Sequence, residues 1–217
     1  MSESKPISIL LIDDHPLIRK GIIQLLELHK GITLAGEANG GTEGLEIIEK
    51  KQPDMVLLDL NMSEMDGITT LKKIKKSWPD IRVVILTVSD NPQNIIQAFR
   101  NKADGYLLKN TDPEKIVDHL IQVMHGVTIV SPEVSKILAQ SRTDENNLPE
   151  LNLTRREDEV LRLIAEGLSN QDVGDRLGIS VWTAKVHAKH ILKKLGLSTR
   201  NELIVWAIRE GITNSKN

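Results

Sequence analysis

Met55-Val56-Leu57-Leu58-Asp59, with Leu60-Asn61 directly behind it and Asp66-Gly67 a little further on, is the stretch on which the reading of this chain turns. An unbroken apolar run of that length suits a strand covered on both faces, as parallel sheets are, and the polar residues beyond it mark a loop. Asp59 then stands at the carboxyl end of a strand, the edge where open α/β sheets bind ligands. Taken alone, such an Asp is explained as well by a turn or a helix cap. Its weight comes from what stands at the other strand ends.

Four more strand-like runs flank it, Ile7 to Ile12, Thr33 to Ala38, Arg82 to Thr87 and Gly105 to Leu108. Helical periods follow them at Pro16 to His29, Thr42 to Lys50, Gly67 to Ser77, Pro92 to Asn101 and Pro113 to His125. Pro16, Pro92 and Pro113 fall where helices start, the position whose N–H is unpaired anyway. Strict alternation of this kind implies a parallel sheet with helices on both faces, here in the α/β flavodoxin-like (βα)5 form.

Asp13 and Asp14 close the first strand, Asp59 the third, Thr87 the fourth and Lys109 the fifth. Three carboxylates on one edge repel one another, and a hard divalent cation bound through oxygen relieves them; Mg²⁺ is the natural choice. Such an ion keeps waters, which leaves room for a phosphoryl group held between metal, a Lys ammonium and a hydroxyl. A haloacid-dehalogenase-like phosphatase also uses a strand-end Asp with Mg²⁺, but it needs a second Asp two residues on, where this chain has Asn61. A dinucleotide-binding domain wants Gly-x-Gly-x-x-Gly after the first strand, and Asp13-Asp14-His15-Pro16 is its electrostatic opposite.

Over residues 7 to 128 the chain resembles the receiver domain of two-component response regulators, through Asp13-Asp14-His15-Pro16, Leu57-Leu58-Asp59-Leu60-Asn61-Met62 and Ala103-Asp104-Gly105-Tyr106-Leu107-Leu108-Lys109. The resemblance implies that Asp59 accepts a phosphoryl group from a sensor histidine kinase, and that Asp13, Asp14, Asp59 and the Asn61 backbone carbonyl hold Mg²⁺. It further implies that Lys109 and Thr87 bind phosphoryl oxygens and that Tyr106 is a switch turning inward as Thr87 moves. Ser63 departs from the family, which commonly has Pro at that place, and this implies a looser loop.

After Ser131 the character changes. Glu133 to Leu138 has room for a short helix, and Gln140 to Leu151 is polar, without period, and holds Asn146-Asn147 and Pro149. We therefore read a receiver domain over 1–130, a linker over 131–149 and a second, all-α domain over 150–217. The second opens on Thr154-Arg155-Arg156-Glu157, a capping box. Its next helices run from Ser169 to Leu177, from Ser180 onward, and from Arg200 to Arg209. Two helices about a tight Gly178 turn have the proportions of a helix-turn-helix.

In the third of these helices Ala184, His187, Ala188, Ile191 and Leu195 share one face, and Trp182, Lys185, Val186, Lys189 and Lys193 share the other. Lysines on an outer face are usually just solvated. Here, however, no acid occurs between Asp175 and Glu202, while six Lys and Arg do. Lys185, Val186, Lys189 and Lys193 are therefore candidates to meet double-stranded DNA in the major groove. Residues 153 to 209 resemble the DNA-binding domain of the NarL/FixJ family, through Leu153-Thr154-Arg155-Arg156-Glu157, Gly167-Leu168-Ser169-Asn170 and Thr183-Ala184-Lys185-Val186-His187. Gly174 stands where Ala is common and should cost up to about 1 kcal/mol in a helix interior. Taken together, the two halves look most like the nitrate/nitrite regulators of that family.

Composition bounds the rest. The 217 residues carry a net charge of -2, 40% apolar and 27% charged residues and no cysteine, which excludes disulfides and thiolate metal sites. The polar Met1 to Pro6 and the absence of any long apolar run give a cytoplasmic expectation with no membrane role. From Glu150 onward 11 Lys and Arg face 9 Asp and Glu, or +2, which leaves -4 for the first 149 residues. The expectation is a non-enzymatic, Mg²⁺-dependent transcription regulator that binds promoter DNA as a homodimer when phosphorylated. Its acidic receiver should be drawn onto the basic helix until then. The alternative is a Mg²⁺-dependent aspartyl-phosphate phosphohydrolase with an accessory helical domain.

Overall fold

Parallel pairing places β1 (Ile7–Ile12) at the centre of one half of a sheet, between β2 (Ile32–Ala38) and β3 (Met55–Leu58). Beyond β3 lie β4 (Arg82–Thr87), β5 (Gly105–Leu108) and a two-residue β6 (Ile129–Val130), giving the order β2-β1-β3-β4-β5-β6. The computed structural model describes residues 5–140 and 153–212. Five strands match the periodicity of the sequence, and β6 adds a sixth to the (βα)5 unit. Two residues carry no period, so β6 had no signature to read.

Because side chains alternate across a strand, each central strand feeds two cores. Ile9, Leu11, Met55, Leu57, Val84, Leu86 and Leu107 point to the face covered by α1 (Pro16–Glu27) and α5 (Pro113–Met124). Leu10, Ile12, Val56, Leu58, Val83, Ile85 and Tyr106 point to the other, under α2 (Gly41–Lys51), α3 (Gly67–Ser77) and α4 (Pro92–Arg100). All four residues of β3 are fully buried, as the opening apolar run requires.

The short helix for which Glu133 to Leu138 has room forms as α6 (Pro132–Gln140), inside the stretch read as linker, and buries Val134 and Leu138 beside β5 and α4. The polar remainder, with the boundaries read at 149 and 150, lies outside the described residues.

The second domain is α7 (Arg155–Ala165), α8 (Asn170–Leu177), α9 (Val181–Leu195) and α10 (Arg200–Arg209). Capping boxes start α7, α8 and α10, from Thr154–Glu157, Ser169–Asp172 and Thr199–Glu202. Glu157 is buried beneath α9, where Lys194 Nζ lies 2.7 Å from its Oε2. Burial would raise its carboxyl, but the Lys194 ammonium and the Thr154 N–H prevail and hold it at about 2. Gly174, which looked like a cost, faces the helix-turn-helix turn. A Cβ there would stand 2.8 Å from the Ile179 carbonyl, whose own N–H donates to Gly174 O at 2.9 Å.

Candidate functional site

Asp13 follows β1 and Asp59 follows β3, and since these strands are neighbours the two carboxylates meet above the sheet edge. Lys109, one residue beyond β5, reaches across with its ammonium 2.8 Å from Asp13 Oδ2 and 2.8 Å from Asp59 Oδ2. All three side chains are almost wholly withdrawn from water. Asp59 Oδ1 accepts N–H bonds from Leu60 at 2.7 Å and Asn61 at 3.3 Å, which fixes the carboxylate in one orientation. The loop that does this sits directly on the start of α3, where Gly67 donates to Leu60 O. A Cβ on Gly67 would fall 2.2 Å from the Asp59 carbonyl oxygen, so the site requires a glycine there.

Asp14 stands at the rim. Its Oδ2 accepts the Ser63 N–H at 3.0 Å. Its Oδ1 is buried and accepts no hydrogen bond, although His15 Nδ1 lies 2.8 Å away. Ligand atoms from Asp13, Asp14, His15 and Asp59 all lie within 4.8 Å of one another. An unsatisfied carboxylate oxygen beside two further carboxylates is a hard, oxygen-rich donor set, and it fits Mg²⁺. Asn61 is exposed on the adjoining loop. His15 belongs to the Asp13-Asp14-His15-Pro16 turn. The structure places its half-exposed ring over the pocket, 3.9 Å from Asp59 Oδ2.

Thr87 is fully buried at the end of β4, and its Oγ1 accepts the Ser89 N–H at 3.3 Å. Tyr106 is already turned inward. It is fully buried, its hydroxyl donates to Ser89 O at 2.9 Å, and burial pushes the phenol far up from its ordinary range. Ser89 is thus bonded to both residues through its two backbone groups. Tyr106 also lies against Phe99 of α4, ring centroids 6.4 Å apart.

On α9, Ala184, Ala188 and Ile191 face the core. Lys185, Lys189 and Lys193 are exposed, Val186 is half-buried between them, and Trp182 is 73% exposed. This is the face that the helical wheel assigned to solvent or DNA, and His187 is only partly buried.

The receiver packs instead on α10. That helix buries Leu203, Ile204, Val205, Ala207 and Ile208, more than one stripe, because α7 covers one side and α4 with α6 the other. Polar contacts pin the edge of the seam. Asn201 donates its side-chain N–H to Ala103 O and accepts from Thr128 Oγ1 at 3.1 Å, and Thr128 N–H donates to Gly167 O at 3.2 Å. Docking of the acidic receiver onto the basic face of α9 is therefore not what occurs. An apolar helix face offers buried area, whereas opposite net charges attract weakly across about 10 Å of salt water.

Comparison with known proteins agrees with both halves. Residues 9–121 match the response regulator receiver domain, and residues 151–207 match the bacterial regulatory proteins of the luxR family. The chain belongs to the response-regulator family. It is 42% identical to the nitrate/nitrite response regulator protein NarL of Escherichia coli K12, covering 98% of this chain and 100% of the relative. It is 36% identical to NarP of the same strain, covering 92% and 94%. The solved complex of the response regulator RcsB with DNA superposes with a TM-score of 0.60 at 26% identity, covering 94% and 99%. This response regulator thus joins a receiver to a LuxR-type DNA-binding domain and regulates transcription. Family membership brings a histidine kinase as the receiver's partner and DNA as the partner of the helical domain. No helix among the described residues is long and apolar enough to cross a membrane.

Against the family pattern, Ser63 is informative. The expected effect of losing Pro was a looser loop. A Pro has no N–H, however, and the Ser63 N–H is what holds Asp14.

Proposed function

We propose that Asp59 is the phosphoacceptor of a cytoplasmic nitrate/nitrite-responsive regulator, and that its phosphorylation frees α10 from the receiver so that the chain binds promoter DNA as a dimer. The observation that carries this is the Lys109 ammonium bridging Asp13 and Asp59 at 2.8 Å each, beside an unsatisfied Asp14 oxygen. The nitrate/nitrite assignment is supported by likeness to NarL and NarP over nearly the whole chain.

In the transfer, an Asp59 oxygen forms the new P–O bond as the P–N bond to the kinase histidine breaks, and the departing imidazole nitrogen keeps the electron pair and takes up a proton. The backbone N–H groups of Leu60 and Asn61 hold Asp59 Oδ1 while Oδ2 lies open toward Lys109. Lys109 then exchanges one carboxylate partner for a phosphoryl oxygen. Asp13, Asp14, Asp59 and the Asn61 carbonyl would hold Mg²⁺, which when bound neutralises charge on the phosphoryl oxygens. The Thr87 hydroxyl turns to the phosphoryl group and loosens its hold on Ser89, which is bonded to Tyr106. Tyr106 packs on Phe99 of α4, and α4 packs on α10. Lys185, Val186, Lys189 and Lys193 then meet the DNA.

The pocket accepts a phosphoryl group without turning over a substrate, so the chain is not an enzyme in this reading. A small phosphodonor with Mg²⁺ should label wild type at Asp59 and leave Asp59→Asn unlabelled. Labelling of Asp59→Asn at the wild-type level, or sustained release of phosphate from an ester by wild type, would refute it.

A further inference from the structure

A second site lies in the seam itself. Between α4 and α10 is a cleft of about 330 Å³, counting its open mouth, with one wall from each domain. Ile96 and Arg100 line it from the receiver, and Val205, Trp206 and Arg209 line it from α10. The Arg209 Nε–H is buried with no hydrogen-bond partner. A buried donor on a charged group is costly to leave unmatched, so the orphan points to a missing acceptor.

Charge in the cleft is net positive, with Arg100 and Arg209 against Glu202. The Arg100 guanidinium forms no ion pair or hydrogen bond among the described residues. The one carboxylate at the rim, Glu202, is engaged by the start of its own helix, with Oε2 accepting N–H bonds from Ser198 at 2.6 Å and Thr199 at 3.1 Å. Two guanidiniums and an aromatic-aliphatic wall remain without a complement. A guanidinium pairs best with a planar, two-oxygen anion, and the apolar wall calls for a short hydrocarbon tail.

We propose that this cleft binds a small aliphatic monocarboxylate, its carboxylate between Arg100 and Arg209 and its tail against Ile96, Val205 and Trp206. Since Arg100 belongs to the receiver and Arg209 to the DNA-binding domain, the ligand ties the two together. It strengthens the docked arrangement independently of Asp59. This consequence, though not the binding itself, rests on the reading that docking restrains DNA binding.

Thermal unfolding of the whole unphosphorylated chain tests the site, with sodium butyrate as ligand, sodium chloride matching ionic strength, and butyramide as the uncharged analogue. A ligand of the folded state raises the unfolding temperature along a binding curve. Butyrate should do so, and butyramide should not. Arg209→Gln and Arg100→Gln should each weaken the apparent affinity by about tenfold or more, the loss expected for one charge-assisted hydrogen bond. Arg100 is exposed and its guanidinium makes no bond among the described residues, so its variant keeps the test valid if Arg209→Gln does not fold. A butyrate response no larger than that of chloride, or one that saturates identically in Arg100→Gln, would overturn the proposal. DNA titration of the same samples separates the two readings: saturable butyrate binding with unchanged DNA affinity leaves the site standing and removes the inhibitory role of the seam.

Discussion

In the pocket at the sheet edge one ammonium holds two carboxylates at 2.8 Å each, whereas in the seam α10 offers Val205 and its apolar neighbours, edged by Asn201, Thr128 and Gly167. Both regions are buried, but they are specified differently. The pocket is built from charged residues at strand ends, where a single position carries the chemistry. The seam is built from an apolar helix face that could as well have been core of its own domain. Hence opposite net charges of the two halves did not decide how they dock, and buried area did.

A pair of glycines offers the sharpest way to break the comparison, because each supports one region. Gly67→Ala puts a Cβ onto the Asp59 carbonyl, at 2.2 Å, and should cost about 1 to 3 kcal/mol of overpacking while cutting phosphoryl uptake. Gly167→Val acts at the other place. Gly167 has φ +83°, and a Cβ would lie 2.6 Å from Thr128 O across the seam. That variant should lose about 1 to 3 kcal/mol to backbone strain, separate the domains to a larger hydrodynamic radius, and keep normal uptake at Asp59. If Gly167→Val lost uptake as fully as Gly67→Ala, the two regions would not be independent supports.

Lys185→Ala and Lys189→Ala test the face of α9 that the receiver leaves open. Each should weaken specific DNA binding by about 1 to 3 kcal/mol if the Lys meets a base. A Lys that meets phosphate would instead lower binding to every sequence alike and flatten the salt slope by about one. Unchanged affinity and slope in both variants would take DNA off this face.

How far the sequence carried this account differs in the same way between the two regions. The runs ending at Asp13, Asp59, Thr87 and Lys109 were legible because a buried parallel strand is an apolar block and its end is a change of polarity. Helix starts were legible from Pro16, Pro92 and Pro113 and from the Thr154 capping box. The two-residue β6 was not, nor was the acceptor of the Ser63 N–H, since neither leaves a period or a residue type behind. The orientation of Tyr106 and the seam on α10 were beyond it too. Leu203, Ile204, Val205, Ala207 and Ile208 are all buried on α10, and nothing in an apolar helix pattern says whether its own domain or another one covers it.

Smaller effects sharpen the helical side. Thr154→Ala removes one half of the α7 capping box and should cost about 1 kcal/mol in denaturant unfolding. Glu157, held at about 2 in the fold against an ordinary 4.5, links stability to acid. A carboxyl lowered by folding contributes fully above about pH 4.5, and that contribution fades as the pH falls towards about 2. Glu157→Gln should therefore flatten the acid side of the stability profile, and an unchanged profile would mean that the Lys194 contact is not maintained.

Release of α10 is the central claim, and DNA titration at one fixed salt concentration tests it most directly. The quantities to compare are the affinity of the unphosphorylated whole chain and that of a fragment from Leu148 to Asn217, which lacks the receiver. A docking free energy of about 1 to 3 kcal/mol predicts that the fragment binds target DNA about 5- to 150-fold more tightly without any phosphodonor. Equal affinity of the two would contradict it, because a receiver packed on α10 would then restrain nothing.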